Sequence, residues 1–134
     1  MNVENRKFYI TVIVVMCLTM LLTLIPIWQL VIIPGIIAGI FNKSLKHGVL
    51  SGLLGVTLSW GLYILVGMLT RNVYFILDQL GGLIFGEGFG WAFLVLILIL
   101  AATFGAVGGG IGNGLMVIIK IYIEKHPSRD SKAN

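Results

Sequence analysis

The stretch that decides the fold is "GAVGGGIGNG", residues 105–114, in which six of ten residues are glycine. It lies between two apolar runs, "WAFLVLILILAATF" at 91–104 and "LMVIIKIYIEK" at 115–125. A phosphate-binding loop requires a preceding strand, together with either a lysine followed by Ser or Thr, or G-x-G-x-x-G spacing and a downstream acidic residue. Here no lysine follows the glycines before Lys120, and the spacing is G-x-G-x-G. We therefore expect no nucleotide site and interpret the glycines as part of a membrane-spanning helix.

The composition of the whole chain agrees with this interpretation, because 58% of its 134 residues are hydrophobic and only 10% are charged. Soluble domains carry about 25% charged residues. Three uncharged runs, 8–42, 47–70 and 88–119, each exceed the roughly 20 residues that a spanning helix needs. The sequence predicts an all-α integral membrane protein, a single transmembrane domain over 1–134 whose first partner is the lipid bilayer. The basic start lacks a small-x-small cleavage pattern after its apolar run, so we expect an uncleaved first span.

The distribution of basic residues predicts four spans with both termini in the cytoplasm. The spans are placed at 8–25, 28–41, 48–70 and 91–119, with a turn at Pro26, an outer segment at 71–90 and a cytoplasmic tail at 120–134. This arrangement leaves only Arg71 outside among the nine Lys and Arg residues, as the positive-inside rule favours, whereas three spans would place Lys43 and Lys46 outside. We expect the second span to be short. We expect the outer segment to form an interfacial or re-entrant helix, with Asp78 and Gln79 opposite its apolar face.

Small residues recur every four positions in three of these spans, which is typical of closely packed membrane helices. In the last span Ala102, Ala106, Gly110 and Gly114 form one stripe, and Ala101, Gly105 and Gly109 form the adjacent one. Glycines of the second and third spans supply complementary faces. The predicted helix-packing residues are Gly35, Gly39, Gly48, Gly52, Gly55, Ala102, Gly105, Ala106, Gly109, Gly110 and Gly114.

Two polar residues are candidates for a pore or a polar contact. Asn113 carries a carboxamide among the glycines, and it either bonds to another helix or lines a pore. Glu87, in "FGEGFG", is either a solvated loop carboxylate or a group that enters the membrane with a re-entrant segment. His47, His126 and Cys17 have no partners at metal-ligand spacing. We expect no catalytic site, no cofactor, no metal and no nucleic-acid partner.

Four elements of the sequence are similar to a family of small four-span archaeal membrane proteins, the domain of unknown function 5518. These elements are Ile25-Pro26, "PGIIAG" at 34–39, "HGVLSGLLG" at 47–55 and "FGAVGGGIGNGL" at 104–115. The outer segment at 71–90 has no counterpart in the resemblance. The resemblance implies four spans and a location in an archaeal cell membrane, and it implies no activity.

The sequence supports three functional hypotheses. The first is a structural, assembly or accessory subunit that associates with further copies or with a membrane complex through its glycine-rich helix faces. The second is an oligomeric channel or small permeation protein lined near Asn113 and guarded by Glu87. The third is a holin-like lesion former. We do not expect an enzyme, because the sequence lacks paired carboxylates and Ser, His and Asp sets in a common layer.

Overall fold

The computed structural model describes residues 3–23, 28–42 and 44–125, and within these ranges every regular element is helical. The elements are α1 (Val3–Thr23), a short 3-10 helix (Trp28–Val31), α2 (Ile32–Phe41), α3 (Leu45–Arg71), α4 (Val73–Phe85) and α5 (Gly90–Lys125). The predicted all-α class is confirmed. The predicted turn at Pro26, Lys43 and the tail beyond residue 125 lie outside the described residues.

Three of the helices are long and apolar enough to cross a membrane: Asn5–Thr23 of α1, Leu45–Arg71 and Gly90–Lys125. They correspond to the first, third and fourth predicted spans, and they indicate insertion into a membrane. The last helix continues past the predicted end at 119 and has 36 residues, about 54 Å at 1.5 Å per residue. The predicted second span corresponds to the 3-10 helix and α2, and Pro34 lies in the first turn of α2, where its missing N–H costs no hydrogen bond.

The contacts between helices fix their relative directions. Gly52 packs on Gly105 and Gly48 on Gly109, so α3 and α5 are antiparallel. Gly35 packs on Gly108, and the end of α2 meets Asn113, so α2 and α5 run the same way. Near the start of α1, the Phe8 ring lies 5.8 Å from that of His47, while further along Val15 meets Gly55, so α1 and α3 are parallel. The start of α1 and the second half of α5 therefore lie at the same end of the bundle.

The interior of the bundle holds small side chains. Five buried apolar residues form one cluster, and Trp60 packs against it: Val15, Val31, Ala38, Val56 and Ala101. The large apolar side chains instead cover the outside, with Leu69 79% and Ile118 65% exposed. This distribution suits a bilayer, where lipid tails solvate large apolar groups and close backbone approach holds the helices together.

Two turns place α4 across the beginning of α5. Asn72, in the left-handed conformation with φ 49°, joins α3 to α4, and Gly86 and Gly88, with φ 105° and 82°, join α4 to α5. Both glycine φ values lie where L side chains are strained. The backbone N–H of Gly90 donates to Asp78 Oδ1 at 3.0 Å, so a side chain of α4 binds the first turn of α5.

One side of α4 packs against the start of α5. Leu77 and Gly81 are buried and Asp78 is half-buried, whereas Ile76 and Ile84 are more than half exposed. Asp78 therefore lies against α5 and not on a solvated face. The reason is the tight hairpin, in which a Cβ built on Gly90 would lie 2.7 Å from the Asp78 Cα. The backbone of α5 can approach α4 so closely only because residue 90 is glycine.

Candidate functional site: a glycine and asparagine junction

One face of α5 meets α3 through main-chain atoms. A Cβ built on Gly105 would lie 2.8 Å from the Gly52 carbonyl carbon, and one on Gly109 would lie 2.9 Å from the Val49 Cα. Such distances fall well short of an ordinary carbon contact of about 3.5–4.0 Å. On α3, a Cβ on Gly52 would clash with the Gly105 oxygen, and one on Gly48 would lie 3.3 Å from the Gly109 oxygen, which is a tight contact. The two helices therefore touch where neither carries a side chain.

A neighbouring face of α5 meets α2 in the same way. A Cβ on Gly108 would lie 2.8 Å from the Ile32 oxygen and 2.9 Å from the Gly35 Cα. A Cβ on Gly112 would meet the Ile36 oxygen. The sequence prediction missed Gly108 and Gly112 as packing residues. Their four-residue spacing, three positions on from Gly105 and Gly109, was the signal that could have identified them.

The structure brings together six of the predicted packing residues at this junction of α2, α3 and α5. They are Gly35, Gly39, Gly48, Gly52, Gly105 and Gly109. Gly55 packs elsewhere, against Val15 of α1. We call the contacts among α2, α3 and α5 the glycine junction.

The other predicted stripe of α5 lies outside the glycine junction. Ala102, Ala106 and Gly110 are half-buried, and Gly114 is exposed. The nearest atom to a Cβ on Gly110 would be Val49 Cγ2 at 3.8 Å, an ordinary contact, and a Cβ on Gly114 would meet nothing within 4 Å. We call these four residues the outward stripe.

Asn113 makes a buried hydrogen bond at one end of the glycine junction. Its side-chain N–H donates to the Asn42 main-chain oxygen at 2.8 Å, and Asn113 is only 5% exposed. This bond pairs a carbonyl just beyond the end of α2, where helical carbonyls lose their intrahelical partners. Of the two roles considered for Asn113, the structure places its amide in a contact between helices.

The network continues through Asn42 and Ser51. The Asn42 amide donates to the Ala38 oxygen at 2.8 Å and to Ser51 Oγ at 2.9 Å, and Ser51 Oγ donates to the Gly48 oxygen at 3.1 Å. Both side chains are buried, where an unpaired polar group is costly. Sequence reasoning did not identify Asn42, because an asparagine at a helix end is an ordinary turn residue.

Glu87 lies apart from Asn113. It is exposed in the turn between α4 and α5, whereas Asn113 lies 23 residues after Gly90 on the continuous helix α5, about 35 Å away along its axis. The structure therefore does not bring the two candidate polar residues into one site.

The chemistry of the glycine junction is that of a helix contact. Its named side-chain amides and hydroxyl bond to one another or to main-chain carbonyls. Within residues 3–23, 28–42 and 44–125, no three His, Cys, Asp or Glu side chains form a group able to hold a metal ion. Cys17 is a free, exposed thiol on α1.

No family model, curated protein or solved structure matches this chain. The resemblance to the domain of unknown function 5518 stays a prediction. The fold and the glycine junction together define a class of protein. In its described residues the chain is helical, and three long apolar helices indicate membrane insertion. Main-chain contacts at glycines hold the helices against one another.

Proposed function

We propose that this chain is a four-span protein of the cell membrane with both termini in the cytoplasm, acting as a structural or assembly subunit and not as an enzyme. The helix directions support the span count, because α1 and α3 run one way and α2 and α5 the other. The 3-10 helix and α2, with 4 and 10 residues, would together form a short second span of about 23 Å. Such a span requires local thinning of the bilayer.

Charge supports the orientation. Arg6 and Lys7 on α1 and Lys46 on α3 lie towards one end of the bundle, with Lys120 and Lys125 on the part of α5 that follows the glycine junction. Arg71 closes α3 at the opposite end. The positive-inside rule assigns the end with more basic residues to the cytoplasm. Fusion of a fluorescent protein or of alkaline phosphatase to the C-terminus tests this orientation. We expect the fluorescent-protein fusion to fluoresce and the alkaline phosphatase fusion to be inactive. An active phosphatase fusion would reverse the orientation.

The observation that carries the proposed subunit role is the outward stripe. Within one subunit, α2 and α3 pack against Gly105, Gly108, Gly109 and Gly112, whereas the space at Gly114 is open. Small residues at four-residue spacing let a second helix approach closely, and this approach is a main source of association in lipid. We expect the outward stripe to pack against a second copy of this chain or against another membrane protein.

The end of α5 extends the same surface. Asn113 bonds at the end of α2, and the twelve residues 114–125 continue α5 for about 18 Å. All of them except the half-buried Met116 are exposed, including Val117 and Ile121, which continue the outward stripe at helical spacing. A partner helix on the outward stripe would also cover this apolar extension.

The test compares two glycines that have open space in the subunit. Gly114→Leu fills the outward stripe, and Gly82→Leu on α4 is the matched control, because a Cβ at Gly82 also meets nothing within 4 Å. We expect the wild type and the control to form oligomers by cross-linking in membranes and by native mass spectrometry, and Gly114→Leu to be monomeric with an unchanged circular dichroism melt. A wild type that is only monomeric, and cross-links to nothing else, would overturn the proposal. So would an unchanged oligomer distribution for Gly114→Leu.

Nothing in the described part of the chain favours the channel or the lesion former over this role. The Asn113 amide is bonded inside one subunit, and Glu87 lies at the far end of α5. Flux of ions or small solutes through liposomes that contain the protein would favour the channel. Loss of membrane potential on expression would favour the lesion former.

A further inference from the structure

Two cavities lie near the end of α3, and Met68 lines both. The larger, about 620 Å³, lies where α3 turns into α4, and its wall includes Arg71, Tyr74, Phe75 and Asp78. The smaller, about 120 Å³, is an apolar groove between α3 and α5. It is lined by Gly61, Ile64, Leu65, Met68, Leu94 and Leu98. Because Met68 lines both, the two cavities are neighbours along α3.

The larger cavity carries one positive and one negative side chain. Arg71 is exposed in the last turn of α3. Asp78 is half-buried, and its Oδ1 accepts the Gly90 N–H at 3.0 Å, which holds the carboxylate against the first turn of α5 and leaves Oδ2 for another donor. A guanidinium matches the geometry of a phosphate group. A carboxylate beside the aromatic rings of Tyr74 and Phe75 suits an ammonium group.

The smaller cavity suits a hydrocarbon chain. It follows α3 from Met68 back to Gly61, about 10 Å at 1.5 Å per residue, and all six lining residues are apolar. A Cβ on Gly61 would lie 3.9 Å from Leu98 Cδ2, so the missing side chain at position 61 leaves room between the two helices. The groove leads from the charged cavity towards the middle of two predicted spans, which is the direction of a lipid tail.

We propose that the two cavities form a binding site for a zwitterionic phospholipid whose headgroup carries a phosphate and an ammonium group. Arg71 binds the phosphate, Asp78 binds the ammonium group, and one acyl chain lies along the groove. A headgroup with a phosphate and no ammonium group can bind Arg71 but leaves Asp78 without a cation, so the pair of charges favours the zwitterion. The site requires insertion in a membrane, but it does not depend on association through the outward stripe.

The binding test uses the full chain purified in mild detergent and titrated, by native mass spectrometry, with dioleoyl phosphatidylethanolamine and dioleoyl phosphatidylglycerol. We expect the phosphatidylethanolamine to bind about two- to fivefold more tightly, because the uncharged glycerol of phosphatidylglycerol offers no ammonium group to Asp78. Glycerophosphoethanolamine, which has the headgroup without the chains, should not bind detectably, because it cannot use the groove. Equal binding of the two phospholipids would overturn the proposal, as would full affinity for the headgroup alone.

Three variants and one control variant separate a lipid site from a general effect on the fold. Arg71→Gln should weaken binding of both phospholipids, whereas Lys125→Gln, with the same change of charge on α5, should weaken neither. Asp78→Asn keeps an oxygen for the Gly90 N–H and removes the charge, so it should narrow the preference for phosphatidylethanolamine several-fold. Leu98→Trp fills the groove and should lower the affinity for both lipids. An unchanged preference in Asp78→Asn would refute the assignment of the ammonium group.

Discussion

The main-chain contact at Gly108 predicts that a single methyl group destabilises the bundle. The perturbation is Gly108→Ala, and the matched control is Gly110→Ala, two residues further along the same helix. The new Cβ at position 108 would lie 2.8 Å from the Ile32 oxygen, 2.9 Å from the Gly35 Cα and 3.0 Å from the Gly35 carbonyl carbon. At position 110 the nearest atom would be Val49 Cγ2 at 3.8 Å, which is an ordinary contact.

The expected magnitude follows from the distances. To restore an ordinary separation of 3.4 Å from 2.8 Å, α5 must move by about 0.6 Å away from α2. It cannot do so freely, because Gly105 and Gly109 already bring its other face into main-chain contact with α3. Overpacking of this kind costs about 1–3 kcal/mol. Alanine also raises helix propensity by up to about 1 kcal/mol, but this gain is common to both variants and cancels in their difference.

The assay is reversible unfolding in mixed micelles of a mild detergent and dodecyl sulfate, followed by circular dichroism. We expect the free energy of unfolding of Gly108→Ala to be lower than that of Gly110→Ala by about 1–3 kcal/mol. The control should equal or exceed the wild type. A difference below about 0.5 kcal/mol, within the usual range for substitutions that touch nothing, would refute the claim that main-chain contact holds α2 against α5.

Three further predictions concern the hydrogen bonds of the bundle. Ser51→Ala should lower the free energy of unfolding by about 1–2 kcal/mol, because it removes the acceptor of a buried amide. The control is Ser59→Ala, at an equally buried hydroxyl with no bonding partner within the described residues. In the same assay this variant should leave the free energy of unfolding unchanged or raise it. Asn113→Ala should cost about 1–3 kcal/mol, since it leaves a buried carbonyl unpaired, while Thr103→Ala, an exposed residue bonded only within α5, should change the unfolding curve little. Asp78→Ala should speed amide exchange at the start of α5, where its carboxylate binds a main-chain N–H, and Asp78→Asn should restore most of the protection; equal exchange in both variants would contradict the capping role.

The long helices could be predicted from the sequence because their cause is local. A run of apolar residues without charge needs a helix to satisfy its main-chain groups in lipid, and the predicted spans at 48–70 and 91–119 lie within α3 and α5. The end of a span is a different boundary from the end of a helix: the last span is predicted to end at residue 119, and α5 continues to Lys125. Helices of this kind extend beyond the bilayer wherever their own main-chain bonds suffice.

The faces of α5 could be predicted only in part. Glycine and alanine occupy three adjacent stripes of the same helix, and the sequence alone does not say which stripe meets which neighbour. The structure assigns Gly105 and Gly109 to α3, assigns Gly108 and Gly112 to α2, and leaves Gly114 open. The Asn42 and Asp78 contacts were missed for a related reason, because each depends on how two helices overlap after a turn.

The glycine junction has a consequence for how this chain can vary. Where two side chains meet, a larger residue on one helix is offset by a smaller one on the other, so pairs of positions change together. At Gly48 and Gly109, or at Gly35 and Gly108, the opposing surface is the main chain itself, and no substitution can make a carbonyl group smaller. In a library of all single and double variants, these positions should therefore reject most replacements and gain no rescue from changes at the facing residue. The outward stripe, by contrast, should vary in step with whatever helix it meets.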